Sequence, residues 1–331
     1  MPRPAVRRLF VFWCMVGALG PVVSPAAEVV RSAVEPMTYR GWSGALRLRN
    51  ARAEAVVVPE VGRVMSFRLC DGENVLWEDA ALAGGQGDAG GQTWVNFGGD
   101  KTWPSPEAEW KLQTKRSGWM PPPAFDGMAA TAREEAGAVV LTSVVDPFYG
   151  VRWERRIALQ PDAAVLVIAT TYERVAGPAA RLGIWVITQL RAPVAVIVPV
   201  RAASLFPAGY FVFGDKPWPE VSAADGWIRL TREPSAPHKL GADAGRMLWV
   251  GEKELCLIES PRVAGGEYPD RGASAEVYTN PDPKSYVELE TLGPLVTLRA
   301  GERITQTNTY TLMRRMSADP AVDARRLLAG R

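Results

Sequence analysis

From residue 28 onward the chain is built of short runs in which apolar and polar positions alternate, broken by Gly, Pro and Asp. GALRLRN (44–50) is followed by EAVVVP (54–59), RVMSFRL (63–69) and NVLWED (74–79), with Pro59, Gly62 and Asp71-Gly72 between them. AVVLTSVV (138–145), VRWERRIAL (151–159), AVLVIATTYE (164–173), LGIWVITQL (182–190) and VAVIVPV (194–200) continue the pattern, and it runs on to ITQTNTYTLM (304–313). A period of two with turn residues at such spacing predicts antiparallel strands. In VRWERRIAL it puts Val151, Trp153 and Arg155 on one face and Arg152, Glu154 and Arg156 on the other. A helical period is legible only at the C-terminus, where Asp319 suits an N-cap, Pro320 the first turn and Gly330 the stop.

Fifteen or so strands in one unbroken run exceed what an immunoglobulin-like sandwich holds. The reading is an all-β domain over 28–316, a large antiparallel two-sheet sandwich, with a short helical tail over 317–331. A division into two β domains near Pro193 is the alternative.

Residues 1–26 stand apart. Arg3, Arg7 and Arg8 give a basic start, Leu9 to Val23 is almost wholly apolar, and Ser24-Pro25-Ala26 is a small-residue cleavage site. This is the layout of a secretory signal peptide, and the apolar run falls short of the roughly 20 residues a membrane span needs. Arg7-Arg8-Leu9-Phe10-Val11 also fits a twin-arginine signal. The expected location is periplasmic or secreted, with no membrane span after cleavage.

Removing that segment takes three Arg from 38 basic residues and leaves 35 against 36 acidic. A near-neutral chain without a Lys/Arg cluster has no footprint for nucleic acid. One His among 331 residues excludes two-His metal sites, and no metal or other cofactor is expected. Cys70 and Cys256 remain, both in apolar strand-like runs that favour buried thiols over a disulfide. A monomer is expected.

Gly85-Gln86-Gly87-Asp88-Ala89-Gly90 fits GxGxxG by letter, but strand-like WVNF follows where a phosphate site needs a helix. The densest polar-aromatic stretch is TWVNFGGDKTWP (93–104), continued by Glu107, Trp110 and Trp119. Gly98-Gly99 permits a close backbone approach. Asn96, Asp100 and Lys101 beside Trp103 offer planar hydrogen-bonding groups with flat apolar plates, which is what a sugar ring needs. A packing loop with a surface Asp-Lys pair would read the same. In YVELET (286–291) Glu288 and Glu290 share one strand face, where burial is costly unless the carboxylates are paired or used. The lone histidine, His238, precedes Lys239.

Several of these segments together resemble the galactose mutarotase-like superfamily. EAVVVPEVGRVMSFRLCDGENVLWED is similar to its opening hairpins and YVELETLGPLVTLRAGERITQTNTYTL to its close. NFGGDKTWPSPEAEW is similar to an uncharacterised bacterial family within it. The likeness runs over roughly 40–313. It implies a β-supersandwich with a sugar site on the concave face of one sheet. In aldose 1-epimerases of this superfamily a Glu near the C-terminus is the general base and a His the acid; Leu289-Glu290-Thr291 matches the context of the base. The histidine falls at Thr188 or Gln189, neither of which donates a proton at a useful pKa. His238, Lys101 or Lys239 would have to replace it.

The resemblance therefore implies catalytic roles for Glu290, His238 and Lys101, and a carbohydrate surface of Asn96, Asp100, Trp103, Trp185, Gln189 and Lys239. Three functions follow: an exported carbohydrate-binding protein, an aldose 1-epimerase-type isomerase with a non-His acid, or a non-catalytic envelope scaffold.

Overall fold

Alternation at this density closes into two antiparallel sheets, one of 11 strands and one of 10, with the largest apolar cluster between them. The computed structural model describes Met1 and residues 33–116, 119–215 and 218–328; the leader-like segment and Gly330 lie outside them. Each sheet draws strands from both sides of Pro193, where the chain crosses from Ala180–Arg191 in the first sheet to Ala195–Pro199 in the second. Pro193 is thus a crossover within one sandwich.

At the centre of the first sheet lie, in order, Asp100–Ser105, Ala180–Arg191, Tyr286–Leu292, Ala275–Thr279 and His238–Ala242. Register aligns Trp103 with Trp185, Lys101 with Ile187, Ile187 with Glu290, Glu290 with Glu276, and Glu288 with Tyr278. Because side chains alternate, this alignment collects five strands' worth of aromatic and charged groups on one face.

The opposite face looks into the sandwich. There Asp100 and Arg155 form an ion pair, and the Asp100 carboxylate also accepts from Thr188 Oγ1 and Tyr310 Oη, both at 2.7 Å. Arg155 lies on VRWERRIAL, whose observed burial alternates as its sequence does.

Two runs depart from expectation. NVLWED forms no strand: Asn74 turns back to accept from the amides of Phe67 and Leu76, and only single bridges at Leu76 and Glu78 remain. DKTWPS, read as loop, is the strand Asp100–Ser105. It meets Arg63–Leu69 only at Val64, so Pro104 has no ladder partner on that side that would need its missing N–H. Short helices at Trp110–Thr114 and Pro123–Asp126 also add to the one expected at the C-terminus. That last helix spans Pro320–Leu328, with Asp319 Oδ1 accepting from Ala321 N. Its Ala324 and Leu328 cover Ala195, Ile197, Leu248 and Leu257 on the outer face of the second sheet.

Gly85 to Gly90 is a loop in which the Asp88 carboxylate accepts from the amides of Gly90, Gln92 and Thr93, which leaves it no phosphate-binding form. Cys70 and Cys256 are both free, and of the expected buried thiols Cys70 is only half-buried.

Gly98 and Gly99 make the close approach their sequence allows. Gly98 has φ of 94°, and a Cβ there would lie 2.1 Å from the Trp77 carbonyl oxygen. Gly98→Ala is expected to destabilise the fold by about 2–4 kcal/mol, from left-handed strain plus overpacking. Urea denaturation followed by tryptophan fluorescence checks this; an unchanged midpoint would mean the segment relaxes freely.

Candidate functional site on the first sheet

The aromatic-charged face of the first sheet floors a pocket of about 320 Å³. Its walls are indoles: Trp103 and Trp185 from paired strands, Trp94 and Trp119 from the loops on either side of the Asp100–Ser105 strand. Trp103 sits edge-on to Trp94, Trp110, Trp119 and Trp185 at centroid distances of 5.3–6.3 Å. Edge-to-face pairs of this kind each add about 0.5–1.5 kcal/mol beyond burial. The Trp103 Nε1–H is held by Asp126, which Arg63 in turn pairs at 2.8 Å. Tyr278, Tyr286, Asn280 and Glu107 complete the rim.

Glu288 and Glu290 lie on the floor. Glu290 Oε2 accepts from Trp185 Nε1 at 2.8 Å and from Lys239 Nζ at 3.0 Å, while Oε1 has no partner among the described residues. Lys239 also reaches Glu276 at 2.7 Å and lies 4.7 Å above the Trp185 ring. Burial opposes the ammonium's charge, but Glu290 and Glu276 together outweigh it and hold its pKa well above the ordinary lysine value. Burial drives the Glu276 carboxyl well above the glutamate range, against the pull of Lys239.

Of the expected site residues, then, Trp103, Trp185, Lys239 and Glu290 share the pocket wall. Three more stand behind it. Asn96 donates to the Tyr286 hydroxyl at 3.2 Å, and Gln189 donates to Glu288 at 2.7 Å. Lys101 is buried with its Nζ 4.0 Å from the Trp103 ring centre and 5.1 Å from that of Trp94. Burial, reinforced by Arg63, lowers the Lys101 pKa to about 8.

Two expected residues do not belong. Asp100 points the other way, into the inter-sheet core with Arg155, because its neighbour Lys101 takes the pocket face. His238 projects from the face opposite Lys239, stacks on Trp218 at 5.1 Å and lies 3.3 Å from Glu233. It is remote from the pocket floor and offers no acid there. Tyr278 and Tyr286 join the rim, and Glu276 lies fully buried beneath it against Lys239, without having been singled out. AEVYTN carried a partial signal, since its alternation places Glu276 and Tyr278 on the face opposite Ala275 and Val277.

Glu288 is pushed up to about 7, by burial first and then by Glu290, against the pull of Lys101, Lys239 and the Gln189 amide. Tyr278 and Tyr286 face it with phenols that the same burial keeps neutral. The folded protein therefore holds a proton that the unfolded chain releases at about 4.5, so Glu288's contribution to stability falls as pH rises from there to about 7. Carbon-13 NMR of the glutamate carboxyls is expected to show one signal titrating near 7 that Glu288→Gln removes; its absence would place Glu288 in bulk solvent.

The sandwich is that of galactose mutarotase-like proteins. A putative aldose 1-epimerase from Escherichia coli K12 superposes with a TM-score of 0.55 at 11% identity, over 81% of this chain and 98% of its own. A galactose mutarotase-like protein from Lactobacillus casei gives 0.56 at 10% identity, over 82% and 100%. A TPR-domain containing protein from Parabacteroides distasonis gives 0.56 at 14% identity over 81% of this chain, which spans only 47% of that longer protein. No curated protein matches the sequence. The sequence profile of the domain of unknown function DUF4380 matches residues 44–313.

Proposed function

The chain belongs to the DUF4380 family, and from that premise we propose that it binds a saccharide in the Trp-walled pocket. One observation carries this reading: four indoles from distant segments surround a floor on which Glu290 keeps an oxygen without a partner. Flat aromatic plates stack on the C–H faces of a pyranose, and carboxylates accept from its hydroxyls. Burying Glu276, Glu290 and Lys239 together costs desolvation that an apolar filling would avoid, which argues for use rather than stability. The likeness to a protein described as a putative aldose 1-epimerase agrees with a sugar ligand.

Calorimetric titration with mono- and oligosaccharides and cell-wall fragments tests the proposal. A saturable heat is expected with at least one. Trp119→Ala, at a side chain 44% exposed and so safe for folding, is expected to weaken it about fivefold through lost stacking. Glu290→Gln is expected to weaken it on the order of 30-fold. No heat with any member of the panel overturns the reading.

The partnerless Glu290 Oε1 also favours a second reading, an isomerase of the aldose 1-epimerase type with Glu290 as general base. Glu288, held near 7 by burial, would then supply the proton in place of His238, which faces away from the pocket. Saturation-transfer NMR of anomer exchange decides it: acceleration that Glu290→Gln abolishes supports isomerisation, and an uncatalysed rate on every sugar removes it.

The protein is further proposed to act outside the cytoplasm, on the strength of the basic, apolar and small-residue order of 1–26. N-terminal sequencing of the protein from a periplasmic fraction checks it, with Ala27 expected first.

A further inference from the structure

The pocket holds more carboxyls than cations. Glu288, Glu290 and Glu107 line it, and Glu276 pairs across from Glu290. Two ammoniums face these four. Lys239 is spent on Glu276 and Glu290. Lys101 lies behind Trp103, with Asp126 at 3.8 Å as its nearest carboxylate.

The deficit of positive charge has visible effects. Glu290, with no exposed surface, leaves Oε1 without a partner. Burial raises Glu107 and Glu288 above the ordinary glutamate range, and Glu290's charge pushes in the same direction.

We infer that the saccharide taken by this pocket carries a cationic nitrogen: an amino sugar whose ammonium seats against Glu288, Glu290 and Glu107 between the indole walls. The inference rests on the saccharide reading and narrows it. A neutral hydroxyl satisfies one lone pair, whereas an ammonium brings three donors and a full charge that favours the ionised form of the raised carboxyls, so they give up their protons as it binds. Indole faces attract a cation as well as a sugar's C–H face, as Lys239 over Trp185 already shows. A sugar phosphate or uronate would meet repulsion from the same groups. A divalent metal is a poorer match, since among the described residues no three carboxylates, imidazoles or thiolates converge on one point.

The experiment is calorimetric titration of the protein at about pH 6, below the range in which α-amino groups lose their proton. The probes are glucosamine, galactosamine and mannosamine, their neutral parents glucose, galactose and mannose, and tetramethylammonium. At least one amino sugar is expected to bind about tenfold or more tightly than its parent. That margin is expected to shrink below about threefold in Glu288→Gln and in Glu107→Gln, the latter at a half-buried rim position that folding tolerates. A neutral hexose binding as well as its amino counterpart overturns the inference and leaves the saccharide reading standing. Capture of tetramethylammonium with no sugar bound overturns the saccharide reading and the amino-sugar assignment with it. Silence from every probe overturns the inference, while the saccharide reading is decided by the wider panel of oligosaccharides and cell-wall fragments.

Discussion

Asp100→Ala is expected to cost the fold about 3–5 kcal/mol, the usual penalty for orphaning a buried charge. Asp100 is 2% exposed and Arg155 fully buried. The Asp100 carboxylate ties the centre of the first sheet to the second through Arg155 and Tyr310, and to Thr188 on the neighbouring strand of its own sheet. Without the carboxylate, Arg155 keeps the Asp100 carbonyl at 3.0 Å and the Thr170 hydroxyl at 3.3 Å, neither of which carries charge. Urea unfolding gives the free energy directly, and the thermal midpoint is expected to drop by roughly 6 °C or more. A loss under about 1 kcal/mol would show that the pair contributes nothing net.

Lys239→Met is expected to cost about 2–4 kcal/mol at neutral pH, with a dependence on pH that identifies the cause. The native ammonium's raised pKa gives stability that is fully present below the ordinary lysine value, so it adds little slope across the neutral range. In the variant, Glu276 and Glu290 lose their cation within the same desolvated site, and the Glu276 carboxyl is driven further up. The folded state then binds more protons than the unfolded chain above the ordinary glutamate range, so stability falls as pH rises. The gap to the native protein is expected to be smallest near about pH 4 and widest near about pH 8. Urea unfolding at a series of pH values measures it. A gap that stays constant with pH would assign the loss to packing of the lysine stem instead.

How far the sequence reveals this protein depends on the range of the interaction. Alternation in VRWERRIAL and LGIWVITQL is local, and both form strands over nearly the residues expected. NVLWED has strand composition but sits where Asn74 and single bridges take its backbone groups, and composition does not report that. DKTWPS fails in the opposite sense: two glycines and a proline disguise a central strand, because the missing N–H lies on a side with no neighbour. In the site, Trp103, Trp185, Lys239 and Glu290 were legible from residue chemistry and family resemblance. Asp100 was misassigned by one position of alternation, since adjacent Asp and Lys must face opposite ways in a strand. His238 was misassigned in the same manner against Lys239. Alternation in AEVYTN sets the face that Glu276 takes, but its place beside Glu290 comes from register between strands, which that local pattern does not encode.

The helix Pro320–Leu328 has a practical corollary for handling the protein. It is the lid over a greasy strip formed by Ala195, Ile197, Leu248 and Leu257, which would otherwise meet water on strands already satisfied along their edges. Trimming the chain before Pro320 would bare that strip and give truncated molecules a sticky flank through which to clump. Fusions placed after Leu328 keep the strip sheathed, so the chain's end is the safer place for a handle.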